Sequence, residues 1–162
     1  MKRIKVTSHG IRLTLNDPEA ETLASVAGQL ADLLGGVEDR VGDPALERLL
    51  PDGYRDNSDD AEEFRRYTQT DLVDEKVAAA RAIVDALSAS TDRGKSTVHV
   101  TLTPTDAISW LRSINDIRLA LAARLGIADE NFRPEGDDDS YNYAIYVWLG
   151  QLQFVLLHAV DR

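Results

Sequence analysis

A guanidinium placed in the middle of an apolar helical stripe restricts the folds open to this chain more than any other feature. On a 3.6-residue wheel, Ala107, Leu111, Ile114, Leu121, Ala122 and Leu125 share one face, and Arg118 lands near its centre. The side chain cannot shed its charge. Burying it alone would cost several kcal/mol, so the stripe predicts a carboxylate or a set of carbonyls from elsewhere in the fold to meet it. Lys76 repeats the problem on a second helix, sharing a face with Leu72, Ala80, Ile83 and Leu87. Two centred cations predict a helical core that contains a polar network.

At 162 residues, 43% of them hydrophobic, the chain is long enough for one real core and short for two, so residues 1–162 are expected to form a single domain. No stretch approaches the roughly 20 consecutive apolar residues of a membrane span, and Met1 to Lys5 does not open an apolar signal core. The expectation is a soluble, cytoplasmic protein that does not engage a membrane. Cysteine is absent, which excludes disulfides, thiolate nucleophiles and thiolate metal sites from this chain. The formal charge is −10 and the basic residues are scattered. Phosphate backbones are bound by clustered Lys and Arg, so nucleic acid is not an expected partner.

The hydrophobic periodicity predicts a mainly helical α+β domain of about five helices with a small antiparallel sheet. Ile4 and Val6, a turn at Ser8-His9-Gly10, and Ile11, Leu13 and Leu15 read as an N-terminal hairpin. Asn16-Asp17-Pro18 opens a first helix with Leu23, Val26, Ala27, Leu30 and Leu34 on one stripe, ended by Gly35-Gly36. Asp43-Pro44 starts a short helix over Ala45 to Leu50, and 51–60 reads as a loop. Helix follows from Asp60 to Leu87, with Thr70 placed to cap a second segment. After a polar stretch over 88–96, Val98, Val100 and Leu102 form a third strand, and Thr103-Pro104 with Asp106 caps the Arg118 helix, which Gly126 ends. An acidic loop over 128–140 leads to a last helix from Tyr141 to Ala159. Leu13-Thr14-Leu15 parallels Val100-Thr101-Leu102, and at the same offset Leu23, Ala27, Leu30 and Leu34 fall on Trp110, Ile114, Ile117 and Leu121. Two such strand and helix units can bring their strands into one sheet.

Catalytic and metal signatures fail on spacing. Gly94-Lys95-Ser96 lacks the glycine of a phosphate-binding loop, because Ala89 stands in its place, and a strand follows where a helix is needed. His9, His99 and His158 show no metal-ligand spacing, and no G-x-S-x-G elbow occurs. Asp137-Asp138-Asp139 and the group Asp56, Asp59, Asp60, Glu62 and Glu63 lie at helix starts, where exposed amides favour negative charge. Neither carries the ordered ligand pattern of a calcium loop. No catalytic residue, metal or cofactor is expected.

The last helix is apolar on two sides. Tyr141, Ile145, Trp148, Leu152, Val155 and Leu156 form one face; Tyr143, Tyr146, Val147, Gly150, Phe154 and Leu157 form the other. Such a helix is either central in a monomer or shared with a partner. The second face predicts a homodimer using Tyr143, Tyr146, Val147, Phe154 and Leu157.

The segment Trp110-Leu111-x-x-x-Asn115-Asp116-x-Arg118-Leu119-x-Leu121-x-x-Arg124-Leu125-Gly126-Ile127 resembles an actinobacterial family of domains of unknown function that share an Asn-Asp-x-Arg-Leu helix. Phe64-Arg65-Arg66, Asp71-Leu72, Lys76 and Tyr146-x-Trp148-Leu149-x-x-Leu152-Gln153 resemble its other recurring stretches, so the likeness covers most of the chain. The chain departs from that pattern at Ala122, Gly150 and Phe154, where glycine, threonine and glutamate are common in the family. The resemblance implies a polar constellation of Asp71, Lys76, Asn115, Asp116 and Arg118. It also implies a gene neighbour encoding a ClpS-type protease adaptor, and hence a partner in protein turnover.

The expected function is that of a non-enzymatic accessory or regulatory protein acting through protein contacts. The competing class is a small-molecule or anion binder, conceivably an enzyme, built on the Arg118 and Lys76 cluster. A sealed ion pair around Arg118 favours the first class, and a pocket open to solvent beside it favours the second.

Overall fold

The computed structural model describes residues 4–36, 43–50, 59–90 and 96–161, with the side chains of Glu47 and of residues 59–70 not described. Strands β1 (Ile4–Thr7) and β2 (Gly10–Asn16) form the hairpin, followed by helices α1 (Asp17–Gly35), α2 (Pro44–Leu49) and α3 (Asp59–Ser88). Strand β3 (Thr97–Leu102) and helices α4 (Pro104–Leu125) and α5 (Gly136–Val160) complete the chain. The architecture is α+β, and the described residues form five helices around a three-stranded antiparallel sheet in the order β1-β2-β3.

The sheet follows from alternation. Ile11, Leu13 and Leu15 stand opposite Leu102, Val100 and Val98, and all six are buried, so one face of the β2–β3 ladder enters the core. On the other face Thr14 Oγ1 and His99 Nδ1 share a 2.9 Å hydrogen bond. Gly10 sits at φ +133°, and a Cβ there would lie 2.4 Å from the Leu102 carbonyl oxygen, so only glycine lets the hairpin turn this close to β3. β1 pairs with β2 alone, which leaves Val6 exposed.

The two helices that follow buried strands start alike. Asn16 and Glu19 close a capping box on α1, Thr103 and Asp106 close one on α4, and each helix has proline in its first turn. Because β2 and β3 are antiparallel neighbours, these strand and helix units lie side by side, with Leu23, Ala27 and Leu30 buried on α1 and Trp110, Ile114 and Ile117 buried on α4. α1 packs against α3, and α4 packs against α5 and α2. Asp43 caps α2, and its carboxylate lies 3.8 Å from Arg124.

Several boundaries differ from the sequence expectation. α3 runs unbroken through Thr70, because Thr70 costs little inside a helix whose neighbours favour it. α5 begins at Gly136, five positions before Tyr141, and Asp137, Asp138 and Asp139 occupy its first turn, where their charge opposes the helix dipole. Residues 51–58 and 91–95, which include Asp56 and most of the Gly94-Lys95-Ser96 stretch, lie outside the described residues. Among the described residues α5 is the one helix long and apolar enough to cross a bilayer by length and composition. Its apolar run is nevertheless broken by Asn142, Gln151, Gln153 and His158, and Ile145, Leu149, Leu152, Leu156 and Ala159 are buried in the core.

Candidate functional site

Asp116 is 6% exposed, and it meets Lys76 across the packing of α3 on α4. Lys76 Nζ donates to both carboxylate oxygens at 2.9 Å. Asp116 lies on the opposite side of α4 from Arg118, and the second helix that its charge requires is α3. Burial pushes the Asp116 carboxyl above its ordinary value of 3.8, while the hydrogen bond and the charge of Lys76 pull the other way. The two groups satisfy each other's charge. Leu72, which the wheel placed on the buried face with Lys76, is 39% exposed; Val73 takes the buried position instead.

Arg118 has no carboxylate partner among the described residues. Its Nε donates to the Tyr146 carbonyl at 3.3 Å, its Nη1 donates to Gln153 Oε1 at 3.2 Å, and its Cζ lies 4.2 Å from the centroid of the Tyr146 ring. The expected carboxylate is thus replaced by a carbonyl, an amide and an aromatic face. The reason is a rotation of α4. Its buried stripe runs through Ala107, Trp110, Ile114 and Ile117, whereas Leu111, Leu121, Leu125 and Arg118 are only partly buried. Arg118 therefore flanks the core at the α4–α5 seam and keeps access to water.

Gly150 makes that seat possible. A Cβ at Gly150 would come within 3.1 to 3.3 Å of three guanidinium atoms, so the bare backbone lets Arg118 lie flat against α5. Gln153 is held in turn by Asn115, whose Oδ1 accepts from Gln153 Nε2 at 3.5 Å. Of the expected constellation, Lys76 pairs with Asp116, and Asn115 joins Arg118 through Gln153. These are two separate groupings, and Asp71 is exposed and belongs to neither.

Beside Arg118 lies an open pocket of about 470 Å³ bounded by α4, the connection between α4 and α5, and α5 itself. Tyr143 and Tyr146, expected at a dimer face, are half-buried and line this pocket. Their rings stack at 6.1 Å, and Tyr143 also meets Phe132 at 5.4 Å. Val147, Phe154 and Leu157, the rest of that set, are exposed. No periodicity in the sequence flags Phe132, which stands in the acidic connection between α4 and α5. Among the described residues no group of three or more His, Asp or Glu side chains is gathered for a metal ion.

The chain matches the family Domain of unknown function (DUF2017) over residues 1–160. It belongs to that family. Relatives include the oxidative stress regulator AosR of Mycobacterium bovis and that of Mycobacterium tuberculosis. Each is 30% identical over 158 residues, covering 88% of this chain and 70% of the relative. No solved structure matches the chain. In this chain Asn115 to Leu119 lie on α4, where Asp116 faces α3 and Arg118 faces α5, so one short segment supplies both polar groupings.

Proposed function

We propose that this chain is an accessory protein in regulation, acting by contact with other polypeptides, in the first place with a second copy of itself; the open pocket beside Arg118, found where a sealed ion pair would have favoured contact alone, supports small-molecule binding as a second reading. The observation that supports this most is the stripe of Val147, Phe154 and Leu157 on α5, exposed at 41%, 62% and 49% on a helix whose opposite stripe is in the core. Exposed apolar side chains that share one helix face gain free energy when a partner covers them. The relatives named as oxidative stress regulators support the regulatory part of the reading. This chain has no cysteine, so the thiolate oxidation by which many proteins register oxidants is closed to it. In an oxidative stress response it would transmit a state by contact and not by its own thiol. A component of protein turnover is the proposed partner beyond a second copy.

Sedimentation at micromolar concentration tests the self-association. Wild type is expected to run as a dimer, and Phe154→Glu, which places a charge in the stripe, as a monomer with unchanged helix content. A monomeric wild type overturns the homodimer. Capture from the native host with wild-type and Phe154→Glu baits tests the second partner: a proteolysis component retained only by wild type supports it, and equal recovery by both baits removes the stripe from that role.

A further inference from the structure

The pocket beside Arg118 has a volume of about 470 Å³, within the roughly 300–1,000 Å³ typical of small-ligand sites. Its charged and aromatic lining comes from separate elements: Arg118 from α4, Tyr143 from α5, Asp129, Glu130 and Phe132 from the connection between them, and Arg48 from α2. The guanidinium of Arg118 is fixed but not neutralised. Its two hydrogen-bond acceptors, the Tyr146 carbonyl and Gln153 Oε1, are both uncharged, and among the described residues no carboxylate pairs with it. A guanidinium carries five N–H donors, and these two acceptors do not use them all. The Tyr146 ring beneath it and the missing side chain at Gly150 hold its plane, which reduces the ordering needed when an anion binds.

We infer that this pocket binds a small organic carboxylate bearing a flat apolar group. The carboxylate pairs with Arg118, in the forked geometry that guanidinium and carboxylate share, and the flat group lies against Phe132 and Tyr143. The Phe132 and Tyr143 rings meet at 5.4 Å with their planes tilted by 51°, so a flat group packs on one ring and meets the other at its edge. Asp129 and Glu130 limit the ligand's charge. Without an ion pair to Arg118 among the described residues, they lower the net positive charge of the lining, repel polyanions such as nucleoside triphosphates, and favour an ammonium carried beside the carboxylate. The ligand class is therefore a monocarboxylate or an amino acid. This inference does not depend on the contact reading of α5, because the exposed stripe and the pocket use different side chains.

Titration calorimetry on the whole chain tests it with three probes of one skeleton: hydrocinnamate, L-phenylalanine and phenethylamine. Hydrocinnamate and L-phenylalanine are expected to bind saturably, and phenethylamine, which lacks the carboxylate, is not. Arg118→Met should weaken hydrocinnamate by about tenfold or more, as loss of a charge-assisted hydrogen bond predicts. Tyr143→Ala, which leaves the guanidinium and its acceptors in place, should weaken both carboxylates and carries the test if Arg118→Met does not fold. Tighter binding of L-phenylalanine than of hydrocinnamate supports the same site with the acidic loop taking the ammonium. Absence of saturable binding by both carboxylates overturns the inference, as does wild-type affinity in a folded Arg118→Met chain or phenethylamine binding as well as L-phenylalanine.

Discussion

Lys76 and Asp116 face each other with only 20% and 8% of their side-chain surface exposed, and the cost of removing both from water dominates their behaviour. Because the Asp116 carboxyl is raised above 3.8, the folded chain holds that proton more tightly than the unfolded chain does. The resulting stability is present below the ordinary aspartate value and is lost as pH rises through the raised one. Carboxyl-carbon NMR should show Asp116 titrating above 3.8, and higher still in Lys76→Met, where both lowering influences are gone. At neutral pH Lys76→Met should cost roughly 2–4 kcal/mol in chemical denaturation by leaving a buried charge unpaired. The pair replacement Lys76→Met with Asp116→Leu should recover most of that loss. Arg118 behaves differently, since its removal strands no carboxylate. Arg118→Ala should cost roughly 1–2 kcal/mol, from one aromatic contact, two hydrogen bonds and some packing. A loss above that range would mean that Arg118 has a charged partner.

At the scale of elements, α4 and α5 meet where a long side chain lies on a bare backbone. Gly150 in mid-helix should cost roughly 0.5–1 kcal/mol relative to alanine, yet a methyl there would press on Arg118 at 3.1 Å. Gly150→Ala alone should therefore leave the melting temperature nearly unchanged, whereas in an Arg118→Ala background it should stabilise by about 1 kcal/mol. Additive effects of the two substitutions would mean that the guanidinium moves aside freely. The starts of α1 and α4 are legible because capping is local: Asn16 with Glu19, and Thr103 with Asp106, act within four residues, whereas α5 starts without a side-chain cap and its start is not. The rotation of α4 is less legible as well. A wheel centred on Arg118 puts the core one position too far along, whereas the offset match to the α1 stripe falls on Trp110, Ile114 and Ile117, which are buried, and on Leu121, which is only partly buried. The wheel failed because Leu111, Leu121 and Leu125 lie on flanks that are only half-buried, and hydrophobicity alone does not rank a flank against a centre.

For the whole molecule, the exposed stripe of α5 makes an energetic prediction as well as a hydrodynamic one. If two copies cover it, the melting temperature should rise with protein concentration, and Phe154→Glu should flatten that dependence; a concentration-independent melt of wild type would count against the dimer. The sequence by itself determined the α+β class, the order of the elements, the caps of α1, α2 and α4, and which face of β2 and β3 is buried, since each rests on residues a few positions apart or on strict alternation. It also brought out Arg118 and Lys76 as charges needing an answer. Only the tertiary structure decided the answers: a carboxylate for Lys76, a carbonyl, amide and ring for Arg118, and a pocket wall for Tyr143 and Tyr146 instead of a place on an exposed face. Those choices depend on how far α4 turns against α3 and α5. That angle is fixed by side chains tens of residues apart packing at close to crystal density, and no local pattern of the chain contains it.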